Sequence, residues 1–174
     1  MAELVAVSVC AGLTVQLAQG LHMASLRHFA LAPLAALLQE TTGAGLPGNQ
    51  QACQGADGEV TLAWRSPSET LLLSGAAEVL QRLSEKLAGS NEACLLDLSA
   101  AFKVVRLSGP RSSDLLCRLG GTAAIPGVGE AHRGRLCDVP VMALSVSEGE
   151  TWLVLDRAYL PHVLGWIAAT LADF

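Results

Sequence analysis

Residues Trp64–Leu83 read WRSPSETLLLSGAAEVLQRL, and residues Ser145–Ile167 read SVSEGETWLVLDRAYLPHVLGWI. Each stretch sets Ser, Glu and Thr in a polar turn, follows with a short apolar run and ends in a helical pattern. In the first, Val60, Leu62 and Trp64 alternate with Thr61 and Ala63, the period of two that marks a strand. SPSE makes the turn and Thr70–Leu73 returns as the hairpin partner. Ser74 is placed to cap a helix. Val79, Leu80, Leu83 and Leu87 form one apolar stripe along it, Lys86 stands in its last turn and Gly89 ends it. In the second, Arg135–Val146 and Glu150–Leu155 predict a hairpin around Ser147-Glu148-Gly149. A helix follows from near Pro161, with Leu160, Val163, Leu164, Ile167 and Leu171 on one face. Glu69-Thr70 matches Glu150-Thr151 at an offset of about eighty residues, which is the length of a duplicated fold and not of a solenoid repeat.

The rest of the chain fills in around these two stretches. Leu21–Ala30 is strand-like. Pro33 suits a first helical turn, and Leu34, Leu37, Leu38 and Thr41 share a face before Gly43. Residues 43–58, GAGLPGNQQACQGADG, read as a mobile loop. Ala93–Ser99 and Phe102–Leu107 are further strands, and Pro110 opens a short helix carrying Leu115, Leu116 and Leu119 up to Gly120-Gly121. The order is β-α-β-β-α-β, then β-α-β-β-α. This predicts an α+β fold of two ferredoxin-like split β-α-β units packed as one domain, with halves 21–99 and 100–174. Residues 1–20 stand apart as an N-terminal arm or strand. Their apolar run, LVAVSVCAGLTVQLA, has acidic Glu3 where a signal peptide is basic. It is also short of the about 20 residues that span a bilayer.

Composition narrows the function. Hydrophobic residues make up 51% and charged residues 16% of the 174, with a mean hydropathy of +0.43. Charge this far below the usual quarter or so of a soluble domain points to surface covered by partners. A net charge of -5 with 11 basic residues excludes a nucleic-acid footprint. Lys86 and Lys103 are the only lysines, so a polybasic membrane patch is excluded too. Cys10, Cys53, Cys94, Cys117 and Cys137 are odd in number with no C-x-x-C spacing, which fits reduced thiols in a cytoplasmic protein.

Few residues offer chemistry. His132 and Cys137 lie five apart in a Gly-containing stretch and supply at most half of a four-ligand zinc site. Cys94, Cys117 and Cys137 lie in or beside apolar segments and read as small buried groups. Residues 120–134, GGTAAIPGVGEAHRG, follow a helix, where a dinucleotide fingerprint would follow a strand; they read as a loop. Trp166 falls at the edge of the last helix's apolar stripe. It is either rim-of-core packing or a possible interface anchor, since Trp is enriched at binding hot spots.

Leu95–Leu116, LLDLSAAFKVVRLSGPRSSDLL, has a D-L-S followed by L-S-G-P and a Leu-rich helix. This resembles the aminomethyltransferase (glycine-cleavage T-protein) superfamily, and within it the gamma-subunit family of heterotetrameric sarcosine oxidases. WRSPSETLLL (64–73) resembles that family's Trp-x-x-Pro-x-Glu-x-Leu-Leu hairpin. The stretch from Cys137 through WLVLDRAYLPHVLGWI (152–167) resembles its last hairpin and Trp-bearing helix. One departure is Ala100, where relatives often have His. The resemblance covers residues 26–174 and makes 21–174 a gamma-like domain with the superfamily's folate-binding fold.

The resemblance implies a small non-catalytic accessory subunit, partnered by larger alpha, beta and delta subunits. That complex oxidises sarcosine to glycine and hydrogen peroxide and passes the one-carbon unit to tetrahydrofolate. FAD, FMN, NAD and tetrahydrofolate are implied for the partner subunits, with no catalytic, cofactor or metal residue in this chain. Asp97 is the one weak folate candidate that the superfamily pattern offers. The competing role for Asp97 and Ser99 is to organise their turn through side-chain to backbone hydrogen bonds. Alternatives of other kinds are a stand-alone tetrahydrofolate-binding protein of aminomethyltransferase type, a subunit of a related N-methyl amino acid dehydrogenase, and a homodimer.

Overall fold

The computed structural model describes residues 3–10, 12–29 and 31–173. Met1, Ala2 and Ala11 of the predicted arm, Ala30 at the predicted end of the first strand, and Phe174 lie outside the described residues. The chain is α+β with two antiparallel sheets and divides into two units, 20–100 and 3–19 with 101–174.

The first unit runs β3 (His22–His28), α1 (Leu31–Thr42), β4 (Ala52–Gln54), β5 (Val60–Ser66), β6 (Glu69–Ser74), α2 (Ala77–Leu87) and β7 (Ala93–Asp97). Its sheet order is β4-β5-β6-β3-β7, so β3, β5, β6 and β7 have the pairing of a split β-α-β unit. The helices bury the stripes that their spacing predicts. Leu34 and Leu38 of α1 and Val79, Leu80, Leu83 and Leu87 of α2 pack with Ala24, Leu26, Val60, Leu62 and Leu72 of the sheet. Ser74 does not cap α2. Its Oγ accepts from Ala76 N–H at 3.0 Å, closing a local turn, and the helix begins afterwards.

The second unit contains β1 (Glu3–Cys10), β2 (Leu13–Gln19), β8 (Phe102–Ser108), α3 (Ser112–Gly120), β9 (Glu130–Leu136), β10 (Val139–Ser147), β11 (Glu150–Asp156) and α4 (Leu160–Leu171). Its sheet order is β1-β2-β8-β11-β10-β9. The position beside β8 that β7 holds beside β3 in the first unit goes to β2, drawn from the other end of the chain. Residues 3–19 are thus two strands of a hairpin inside this unit, turned at Gly12 (φ +79). Leu13 and Val15 join Val105, Leu107, Leu115, Leu116, Leu153, Val163 and Ile167 in its core.

Three sequence readings change. The predicted strand 135–146 is two strands, β9 and β10, broken where Cys137 and Asp138 both have positive φ (50 and 63), the backbone of a type I′ hairpin turn. Pairing then extends β9 back to Glu130, inside the predicted glycine-rich loop. Likewise β4 lies in the predicted loop 43–58 and pairs with β5. Each added strand stands outside its hairpin at the same place in the sheet, so the duplication is fuller than the sequence echo.

Gly109 (φ +119) joins β8 to α3, and a Cβ there would lie 2.5 Å from the Gly12 carbonyl oxygen. Gly109→Ala is expected to destabilise the chain by about 2 kcal/mol or more through backbone strain and this collision. Gly134→Ala, where a Cβ meets nothing within 4 Å, is expected to stay within about 0.5 kcal/mol. Urea unfolding midpoints compare the two.

Candidate functional site

The repeated Glu-Thr opens the same strand in both units, β6 and β11, and each glutamate is engaged by side chains of its own unit. In the first unit, Ser25 Oγ–H donates to Glu69 Oε1 at 2.6 Å and Arg65 donates at 2.8 Å. Arg27 stands 3.8 Å from the same oxygen. Glu69 is buried, and these charge-assisted bonds make that burial tolerable. In the second unit, Arg106 Nε–H donates to Glu150 Oε1 at 2.5 Å and the Trp152 indole N–H donates at 2.7 Å. The Arg106 guanidinium also lies 4.6 Å from the Trp152 ring centroid, a cation–π contact.

Ser25 pairs with Leu71 and Arg106 with Trp152. Both therefore sit two residues beyond the glutamate on the equivalent strand. The echo encodes a repeated hairpin clasp. A carboxylate held by an arginine and further donors is poorly set up to act as a general base, which must be free to reach a proton.

Asp97 ends β7 beside a cleft of ≈ 320 Å³. Leu80 and Leu95 line it together with His22, Gln81 and Ser84. Ser99 donates to Asp97 Oδ1 from both its hydroxyl (2.6 Å) and its backbone N–H (2.8 Å). These two bonds, hydroxyl first, hold the Asp97 carboxyl below its ordinary range, with the His22 ring adding to the effect. Ser99 Oγ in turn accepts from Met23 N–H at 3.0 Å, tying the turn to β3. No Phe, Tyr or Trp lines the cleft, and the His22 imidazole is the one aromatic ring among its lining residues.

The remaining candidates separate. His132 faces Glu130 Oε2 at 3.1 Å, whereas Cys137 is buried in its turn and its carbonyl meets His162 Nε2 at 2.9 Å. Among the described residues, no three His, Cys, Asp or Glu gather as a metal site. Burial first, then the Asp138 carboxylate, pushes the Cys137 thiol up to about 11, far from a reactive thiolate. Cys94 and Cys117 are exposed, a correction to their expected burial. Cys117 falls on the solvent side of α3, whose inward positions are Leu115, Leu116 and Leu119. Trp166 is 51% exposed and meets the His162 ring edge-on at 6.4 Å between centroids.

His28 is a residue that sequence reasoning passed over. It is 4% exposed; Nε2 lies 3.3 Å from Thr70 Oγ1, and Nδ1 has no partner. Beside Arg27 at the end of β3, it carried no sequence signal of its burial.

No protein-family model matches the chain. It is similar to the sarcosine oxidase subunit gamma of Corynebacterium sp. strain P-1, 30% identical over 144 residues, 80% of this chain and 70% of that one. The counterpart from Corynebacterium sp. strain U-96 is 28% identical over 143 residues, 80% and 69% of the two chains. Among solved structures, a chain of the heterotetrameric sarcosine oxidase from Corynebacterium sp. U-96 superposes with a TM-score of 0.84 at 24% identity, covering 97% of this chain and 88% of that one. The glycine-cleavage aminomethyltransferase T of Bartonella henselae superposes with a TM-score of 0.60 at 13% identity, covering 85% of this chain and 43% of that one. These two likenesses show the fold.

Burial lowers the His28 pKa from its usual value, so the unfolded chain binds the proton more readily than the folded one. Stability is therefore full above about pH 6.5 and falls as the solution is acidified through and below that value. The urea midpoint is expected to drop between pH 7.5 and 5.5, and His28→Gln to flatten that slope.

Proposed function

Because the chain belongs to the family of sarcosine oxidase gamma subunits, we propose that it is a small accessory subunit of a heterotetrameric flavoprotein oxidase that demethylates sarcosine to glycine. In this reading its partners are larger alpha, beta and delta subunits. FAD, FMN, NAD and tetrahydrofolate reside in those partners, supplying electron transfer and one-carbon acceptance there. The observation that carries the reading is the 30% identity over 144 residues to a sarcosine oxidase gamma subunit.

Side-chain chemistry supports it. Glu69 and Glu150 are closed in hairpin clasps and Asp97 in a turn, which leaves these carboxylates structural. The surface of α4 fits a subunit that works by contact. From Leu160 to Ala172 the sequence carries no Asp, Glu, Lys or Arg. Pro161, His162, Gly165, Trp166, Ala168 and Ala169 face solvent. Interface cores are depleted in charge and enriched in Trp, and in this reading Trp166 anchors a contact with another subunit. The helix is far too short to cross a membrane, and no helix among the described residues is long and apolar enough.

Affinity purification of the tagged chain from its native host tests the role, with mass and visible absorbance recorded together. A yellow, stoichiometric complex that turns over sarcosine is expected. Trp166→Ala should weaken association by about 2 kcal/mol while leaving the chain's own melt unchanged. A colourless particle of one or two copies would contradict the reading.

A further inference from the structure

The two sheets have four edge strands, and three of them are blunted. In the first unit β4 is three residues long, and β7 is five residues bracketed by Glu92 and Asp97. In the second unit β9 carries Glu130, His132, Arg133 and Arg135. Short length, charge and bulges are the usual means by which a sheet edge avoids pairing with another chain. The fourth edge, β1, is neither short nor charged along its length, and has only a bulge. It is eight residues long, pairs among the described residues only with β2, and carries no charge after Glu3. Val7 and Val9 are 43% and 70% exposed. One irregularity interrupts it, a register shift against β2 between Ala6 and Ser8.

We propose that the outer edge of β1 is a strand-addition site, filled in the assembled oxidase by an extended segment of a larger subunit. The inference rests on the accessory-subunit reading. The unpaired main-chain row specifies an extended backbone as its complement, and the exposed valines specify apolar side chains beside them. The irregularity decides between partners. A second copy paired antiparallel over Glu3–Cys10 would set residue 6 opposite residue 7. The two bulges would then meet at the centre and break the ladder where it should be strongest. A regular strand from a different chain meets only one bulge, which an antiparallel ladder accommodates by opposing two residues to one.

Hydrogen exchange of the intact complex and of the isolated full-length subunit tests this. The amides of residues 4–10 are expected to exchange at least tenfold more slowly in the complex, with those of β9 changing less. Val9→Lys, at an exposed position, should leave the subunit's melt unchanged and lower recovery of the complex at least tenfold. Equal β1 exchange in an intact complex would overturn the proposal while leaving the accessory role standing. A homodimer that already protects β1 would overturn it in favour of a second copy. Failure of the wild-type chain to join any complex would overturn the accessory role, and this proposal with it.

Discussion

The antiparallel pairing of β2 with β8, Thr14–Ala18 against Val104–Ser108, is the contact on which the second unit depends. A split β-α-β unit needs a strand on the far side of its first one. In the first unit the chain supplies it next in order, as β7 after α2. In the second unit the corresponding place beside β8 is taken by β2, which precedes both units' helices in the chain. The apolar groups follow that pairing: Leu13, Val15 and Leu17 meet Val105 and Leu107 under α3 and α4. Arg111 N–H donates to the Gly12 carbonyl at 3.1 Å, which binds the entry to α3 to the same hairpin. Closing so long a stretch of chain costs entropy that rises only slowly with length, and burial of these side chains offsets it.

Much of this was legible in residue spacing. The four buried positions of α2 are those its stripe predicts, and Pro161 stands in the first turn of α4. The strands Val60–Ser66, Glu69–Ser74 and Glu150–Asp156 lie where alternation and turn chemistry put them. What escaped were features without a local signal. Three-residue β4 is too short to show a period. Cys137-Asp138 carries no glycine, yet both residues adopt left-handed backbone, so the strand break was hidden. Residues 3–19 look like a separable arm because nothing local says that a strand's partner lies some ninety residues away. The resemblance to sarcosine oxidase gamma subunits agreed with the comparisons because it rested on the order of several turns and core segments.

The polar groups that the echo repeats are bound within their own hairpins. Glu69 and Glu150 each begin a central strand, and each meets an arginine, Arg65 in the first unit and Arg106 in the second, with Ser25 or the Trp152 indole as a further donor. An uncompensated carboxylate there would be costly, so the clasp is selected by folding. The units differ in where the arginine stands: Arg65 comes from the strand before the hairpin turn, whereas Arg106 comes from the neighbouring strand and stacks on Trp152. Of the outer elements, α4 carries no Asp, Glu, Lys or Arg and β1 carries none after Glu3.

The most direct measurement of the account is hydrogen exchange on a chain lacking residues 1–19, set against the full-length protein. Loss of the β2 strand is predicted to strip protection from the amides of β8 and β11 and to unfold residues 101–173, while β3, β5 and β6 keep theirs. A shortened chain with β8 as protected as before, melting within about 1 °C of the full-length protein, would contradict the claim that the N-terminal strand completes the second unit.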